Sequence, residues 1–237
     1  MMPRTVFGIE AVSSKEGSSV RRVSAIVVFV VLAALTPVAG TARQATPPPG
    51  AEALGPEECR VSPRSPEAIL SVLTTPAADP GAAATDVPPA GGQGTVASED
   101  ELPTGEPADA TTVEAAEAVV REFTACFNAR DLFRLFSLVS DDFLRELASE
   151  SGVPAGEAEL AAAAAMEPTP VSEGDRQVIL AIRDARVFPD RRVGVVLVGD
   201  WLNDEEASKP TLVVLVQTPE RWLVDNIIMV DPEAAEP

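Results

Sequence analysis

The chain has 237 residues, a formal net charge of −19, and neither histidine nor tyrosine. Phosphate backbones repel so acidic a chain, which argues against nucleic-acid binding. The missing residue types exclude Ser-His-Asp and Cys-His triads, histidine-ligated zinc and tyrosine-based oxyanion holes, and two cysteines cannot complete a structural zinc site, so no metal and no cofactor is predicted.

Residues 1–40 carry the features of an export segment. Arg21 and Arg22 precede a nearly uncharged run from Val23 to Ala39, whose strongly apolar part covers only 11 residues. That length suits a signal peptide better than a bilayer span of about 20 residues. Cleavage after this run and retention as an N-terminal membrane anchor both stay open. Either outcome predicts that the rest of the chain works outside the cytoplasm, with the membrane contacted only through this segment.

Residues 41–110 have the composition of a disordered acidic linker. They hold 12 Pro and 7 Gly among 70 residues, with few aromatic or branched aliphatic side chains to offset the entropy of ordering. A short helix near 65–74 is the exception, because Ser65 and Pro66 suit its N-cap and first position and apolar residues follow. A helix of two turns does not stand alone, so it is expected to dock elsewhere on the chain.

The two cysteines lie on either side of the predicted boundary between linker and domain. Cys59 precedes the short helix, and Cys126 falls in the first helix of the domain. In an oxidising compartment two cysteines often pair, so a Cys59–Cys126 disulfide that ties the linker to the domain is one hypothesis. The alternative is a pair of reduced thiols, with Cys126 filling the apolar core.

A folded domain is predicted for residues 111–232, followed by a disordered tail at 233–237. Thr111 or Thr112 would cap its first helix, and Glu114 would complete a capping box with Thr111. Apolar residues then recur along this helix at helical spacing, at Val113, Ala116, Val120, Phe123 and Phe127. Three shorter helical stretches are predicted before the first strand.

After Pro170 the apolar pattern changes from helical to strand-like. Four strands are predicted, over 178–188, 193–201, 212–218 and 222–230. The short turns between the first two and between the last two predict antiparallel hairpins. Helices followed by such a meander indicate an α+β fold, in which the N-terminal helices pack on one face of a curved four-stranded antiparallel sheet.

Two of the predicted strands are apolar on both faces, in the runs 195–198 and 212–216. The face that does not carry the helices therefore needs a cover, because a large exposed apolar patch is unusual in a monomer. A homodimer formed through the sheet would provide it, and so would docking of the short helix at 65–74. The dimer is the preferred expectation.

The order of a long helix, shorter helices and a bent antiparallel sheet resembles the nuclear transport factor 2-like, or SnoaL-like, cone-fold family. The resemblance is carried by VVREFTACFNARD at 119–131, RDARVFPD at 183–190 and RWLVDN at 221–226, in the C-terminal half of the chain only. It implies an apolar pocket between the concave face of the sheet and the helices. In isomerases and dehydratases of the family this pocket holds an Asp with Tyr or His partners. Those partners do not occur here, so the resemblance favours the non-enzymatic binding modules of the family.

The candidate pocket-lining residues are aromatic and acidic side chains at helix-face and strand positions: Phe123, Phe127, Phe143, Trp201, Trp222, Asp184 and Asp225. A buried Asp could act as a general base, but the preferred interpretation is that Asp184 and Asp225 each lie at a sheet edge or pair with a nearby arginine. The aromatic side chains could line a ligand site or serve as core and interface anchors. No residue is therefore assigned a catalytic role.

Three functions stay open at this point. The leading prediction is an exported, non-catalytic binding or protein-interaction module whose partner the sequence does not identify. The second is an extracytoplasmic carrier of a small apolar ligand in the cone pocket. The third is an isomerase or lyase that relies on Asp184 or Asp225. The sequence thus leaves catalysis undecided while favouring a chain that is not an enzyme.

Overall fold

The computed structural model describes residues 51–75, 95–96, 104–150, 154, 156–201 and 210–230, with side chains described except at 95–96, 150, 200 and 201. The predicted export segment, much of the predicted linker and the predicted tail lie outside the described residues. Among the helices that are described, none combines the length and the apolar character needed to cross a membrane.

The described residues form five α-helices and seven strands. The helices are α1 (Pro66–Thr74), α2 (Ala110–Ala129), α3 (Leu132–Leu135), α4 (Asp141–Glu150) and α5 (Glu157–Ala164). The strands are β1 (Glu52–Ala53), β2 (Thr95–Val96), β3 (Glu106–Pro107), β4 (Gln177–Val187), β5 (Val193–Trp201), β6 (Pro210–Gln217) and β7 (Trp222–Val230). Short 3-10 turns occur at Pro56–Glu58 and Glu173–Asp175. The predicted α+β class is confirmed.

All seven strands belong to one sheet, in the order β1-β4-β5-β6-β7-β2, with β3 also paired to β4. The four long strands β4 to β7 are antiparallel neighbours, whereas β2 runs parallel to β7. The predicted count of four strands was too low, because β1, β2 and β3 add to the two edges. Each of these three has two residues, which is too short for an alternating pattern to show in a sequence.

One hydrophobic core fills the space between the helices and one face of the sheet. Val120 of α2 and Phe143 of α4 meet Val195 of β5 and Leu215 of β6 there, and each is at most 1% exposed. Full burial of such a side chain contributes about 1.5–3 kcal/mol, which holds the helical layer on the sheet.

The other face of the sheet carries a second buried cluster. Side chains alternate along a strand, so Leu212 and Val214 point away from the first core, and they cluster with Phe188 and Ile228. These four residues are at most 4% exposed within the single chain. The exposed apolar patch that motivated the predicted dimer is therefore not seen among them, and the dimer stays a prediction.

Residues 51–75, which we call the strap, pack on the helical side of the molecule. Leu54, Cys59 and Ile69 of the strap are at most 3% exposed and belong to the first core. A disulfide joins Cys59 to Cys126 of α2 across 67 residues of sequence. This part of the predicted linker is folded, because a few apolar side chains and one covalent bond anchor it, although its average composition resembles that of a disordered chain.

Helix α1 lies within the strap, and its N-cap Ser65 accepts a hydrogen bond from the Ala68 N–H at 3.2 Å. The two buried residues of α1, Ile69 and Val72, face the first core and not the second face of the sheet. The alternative in which this helix covers the second face was therefore wrong, whereas its expected docking on the rest of the chain is observed. The composition of α1 predicts an apolar stripe, but it does not specify which surface that stripe meets.

Helix α2 begins two or three residues earlier than its threonines suggested. Its N-cap is Asp109, whose carboxylate accepts the Thr112 N–H at 2.7 Å. That backbone hydrogen bond is the largest cause that lowers the pKa of Asp109 from its ordinary value of 3.8. The predicted cap at Thr111 or Thr112 was wrong, because the helix already includes Ala110 and both threonines.

Candidate functional site

Asp184, a candidate pocket residue, lies on an exposed part of β4. Its backbone φ is 56°, and the β4–β5 pairing shifts register between Arg183 and Arg186, so Asp184 belongs to a β-bulge. Its side chain is 49% exposed and pairs with Arg183 at 2.6 Å. The structure thus places this carboxylate at the surface and not in the space between helices and sheet.

Asp225, the other candidate carboxylate, is buried in β7. The β6–β7 pairing shifts there, so that Val214 faces Asn226 while Leu215 faces Val224 and Asp225 is the additional residue. Its side chain is 5% exposed, and it accepts a hydrogen bond from Arg192 Nη1 at 2.9 Å.

Arg192 connects two carboxylates in this part of the sheet. Its Nε donates to Asp190 at 2.6 Å, and its Nη1 donates to Asp225, while its own side chain is 9% exposed. The cluster fixes the β4–β5 turn against β7, because breaking a buried pair would leave one charge uncompensated. Asp184 and Asp225 do not form one site, since β5 and β6 lie between their strands.

The candidate aromatic residues mostly contribute to the first core. Phe143 is completely buried, while Phe123 and Trp222 are half-buried and pack against the core. Phe127 is half-buried on α2. The backbone of Trp201 ends β5, but its side chain lies outside the described residues. The position where the resemblance implies a pocket is thus occupied by packed side chains, among them Phe143.

Sequence reasoning missed a surface cleft of about 580 Å³ that lies between the strap, the α3–α4 connection and the β6–β7 turn. Its apolar lining includes Pro63, Val139, Pro219 and Leu223. Its charged lining consists of two arginines and two acidic residues: Arg64, Asp141, Glu220 and Arg221. All three walls come from loops or element ends, so no periodic pattern could have indicated the cleft.

The strap forms one wall of this cleft and is held to the α3–α4 region by several polar contacts. The Arg64 N–H donates to the Phe133 carbonyl at 2.9 Å. The Ser137 hydroxyl donates to the Ser62 carbonyl at 2.7 Å. The Arg64 guanidinium pairs with Asp141 at 2.5 Å. These contacts hold the strap wall in place at Ser62 and Arg64.

The opposite wall is the turn between β6 and β7. The Thr218 hydroxyl donates to the Arg221 carbonyl at 2.7 Å and accepts the Arg221 N–H at 3.1 Å, which closes the turn. Val139 lies beside β7, where the Ser140 N–H donates to the Val224 carbonyl at 2.8 Å. The exposed side chains of Glu220 and Arg221 stand on this wall.

The disulfide fixes the strap a few residues before the cleft. Cys59 and Cys126 are 1% and 0% exposed, and Arg134 Nη1 donates to the Cys59 carbonyl at 2.8 Å. Because Arg64 follows Cys59 closely in sequence, this bond also limits how far the strap wall can move. The cleft is therefore built by segments that are far apart in sequence but are joined by a disulfide and by hydrogen bonds.

Comparisons with protein-family models, with curated proteins and with solved structures give no match to this chain. Within the described ranges, no group of three or more Asp, Glu, His or Cys side chains is placed to hold a metal ion.

Proposed function

We propose that this chain is an exported, non-catalytic binding module that contacts a partner protein through the cleft between the strap and the β6–β7 turn. The observation that carries the proposal is the construction of the cleft, in which three chain segments are fixed by a disulfide and by hydrogen bonds. The two carboxylates considered for catalysis are instead engaged with Arg183 and Arg192.

The lining of the cleft suits a protein segment as its ligand. Apolar side chains such as Pro219 and Leu223 lie beside charged side chains of both signs. Protein interfaces commonly combine an apolar centre with a polar rim in this way.

The proposal includes a cone-like fold of the nuclear transport factor 2-like type. Helices α2 and α4 pack on one face of the sheet, and bulges in β4 and β7 would bend it around them. In this arrangement the interior of the cone is hydrophobic core, because Phe143 and its neighbours occupy it. Support for the carrier function is weaker for that reason, and the binding surface is assigned to the outside of the cone.

The proposed location is outside the cytoplasm, with residues 1–40 acting as signal peptide or anchor. A disulfide between the only two cysteines of the chain fits an oxidising compartment. The formal charge of −19 would keep such a protein soluble there.

Photo-cross-linking in the producing organism tests the proposed binding surface. A photoreactive amino acid replaces Glu220 at the cleft or, as a control, Glu159, which is exposed on α5. We expect a protein adduct from position 220 and not from position 159. Arg64→Glu should reduce the adduct at least about tenfold, since a lost charged contact in an interface commonly costs 1.4 kcal/mol or more.

The matched control for this charge reversal is Arg186→Glu, on an exposed part of β4. It should leave the adduct unchanged, because Arg186 does not line the cleft. Equal adducts at positions 220 and 159, or the same loss with both charge reversals, would contradict the proposed surface.

A further inference from the structure

We propose that assembly of the cleft is coupled to oxidation of Cys59 and Cys126, so that the strap wall forms only once the disulfide has formed. For its functional consequence this inference rests on the proposed binding at the cleft. Its structural step, docking of the strap, can be tested without any ligand.

Without the disulfide, the strap is held by limited apolar burial, by the two-residue β1–β4 pairing and by hydrogen bonds from Asn128 and Arg145 to its carbonyls. Helix α1 has nine residues, and isolated helices shorter than about 12 residues are marginal in water. The apolar anchors of the strap in the first core are the buried Leu54, Cys59, Ile69 and Val72, with Val61, Leu70 and Leu73 partly buried beside them. The conformational entropy of ordering residues 51–75 opposes this limited burial.

The polar contacts at the cleft end of the strap are individually weak. The Arg64–Asp141 pair is partly exposed, with side-chain exposures of 20% and 55%, and such pairs contribute little on their own. The hydrogen bond from Ser137 to the Ser62 carbonyl is only partly buried. A covalent bond at Cys59 raises the effective concentration of these groups near their partners, as a short tether does in bivalent binding.

The redox step needs an oxidant that itself carries a disulfide, as found in oxidising compartments. The thiolate of one cysteine attacks a sulfur of this oxidant, which breaks the oxidant's S–S bond and gives a mixed disulfide and one released thiol. The thiolate of the other cysteine then attacks the mixed disulfide and displaces the second thiol. The two protein thiols are oxidised, the oxidant is reduced, and the two thiol protons end on the released thiols.

The burial of both cysteines determines when the disulfide can be reduced. Their exposures of 1% and 0% mean that a reductant reaches either sulfur only after the strap has opened. A reduced chain inside the cell would thus lack the strap wall, whereas an exported and oxidised chain would retain it. The cleft would in this way become available only after export.

Native-state hydrogen exchange on the full chain tests this inference. The oxidised protein is compared with the Cys59→Ser/Cys126→Ser double variant. The strap amides of Arg64 and Ile69, which donate to the carbonyls of Phe133 and Ser65, are followed beside sheet amides such as Val214. Removal of the cross-link should speed exchange in the strap at least about tenfold, and by a clearly smaller factor in the sheet.

Oxidised Arg64→Ala is the matched control, because it loses the contact with Asp141 but keeps the disulfide. Its strap exchange should increase less than that of the double variant. Unchanged strap exchange in the double variant, or an equal increase in strap and sheet, would overturn the inference.

A second measurement covers the case in which the double variant fails to fold. Dithiothreitol is added to the oxidised full chain, and exchange is followed over time. Strap amides should lose protection before sheet amides, and simultaneous loss of both would overturn the inference. Neither exchange experiment contains a ligand, so each tests this inference independently of the proposed function. If the strap is released as expected but no adduct forms at position 220, only the proposed function is rejected.

Discussion

Asp225 and Asp184 differ in what their side chains do for the fold. Asp225→Ala removes a buried carboxylate that pairs with Arg192 but leaves the pair with Asp190, so we expect a loss of about 1.5–3 kcal/mol in unfolding free energy. Asp184→Gly relieves a left-handed backbone at φ 56°, so stability should stay the same or rise by up to about 1 kcal/mol. Urea denaturation compares the two variants, and a larger loss from Asp184→Gly would contradict these assignments.

Gly194 is required by the close approach of Phe188. A Cβ at this position would lie 2.5 Å from Phe188 Cζ and 3.0 Å from Leu212 Cδ1. We expect Gly194→Ala to destabilise the protein by about 1–3 kcal/mol, the usual cost of overpacking. The smaller side chain in Phe188→Leu should reduce this cost, which a double-mutant cycle by denaturation can measure. If the effects of the two substitutions on the unfolding free energy are additive, the contact between Gly194 and Phe188 does not cause the cost of Gly194→Ala.

At the residue scale, the sequence predicted which chemical groups lie on the strands better than it predicted whether those groups are buried. It placed Asp184 and Asp225 in strands, and it considered pairing with arginine as an alternative for both. It could not locate the bulges that expose one and bury the other, because a bulge depends on the register with the partner strand. Nor does residue type show that Arg192, well away from Asp225 in sequence, would be its partner.

Among the elements, α2 offers a test of its capping residue. The Thr112 N–H lowers the pKa of the Asp109 carboxyl, so the stabilisation is complete above the ordinary pKa of 3.8 and is lost as the pH falls through the lowered value. Asp109→Ala should therefore lower the melting temperature at pH 7, with a gap to the wild type that narrows in acid. Asp109→Asn keeps a side-chain acceptor and should show less pH dependence. A gap that stays constant down to pH 2 would contradict this role.

Elements with strong periodic patterns were predictable, whereas short ones were not. The repeat of apolar residues in α2 and the alternation in β4 to β7 both arise from burial on one side of a regular backbone. In α1, Ser65 and Pro66 mark the start of the helix in the sequence and in the structure alike. Strands β1, β2 and β3 depend on pairing with residues far along the chain. Each has only two residues, which is too few to show the alternation of a strand.

For the whole molecule, the burial of the second sheet face favours a monomer over the homodimer expected from the sequence, and a measurement of mass decides between the two predictions. Phe188, Leu212, Val214 and Ile228 are already at most 4% exposed in one chain, so they offer little apolar area to a second copy. We expect light scattering of the exported protein to give one monomer mass across the micromolar concentration range. A mass that doubles with concentration would contradict this expectation.

The cleft could not be predicted because it is a property of the assembled molecule. Its walls bring residues near 62–68 together with residues near 137–141 and 218–223. The composition of the strap indicated disorder, and only the cysteine pair suggested a connection to α2. That suggestion did not say which surface the strap would border, since the position of α1 depends on packing by Ile69 and Val72.

The connection between the strap and α2 can be measured directly by digesting the exported protein with trypsin without reduction and analysing the peptides by mass spectrometry. Cleavage after arginine yields residues 44–60, which contain Cys59, and residues 122–130, which contain Cys126. The structure predicts that these two peptides are recovered joined and separate only after reduction. Recovery of both as separate free-thiol peptides before reduction would contradict the tethered strap and the cleft built upon it.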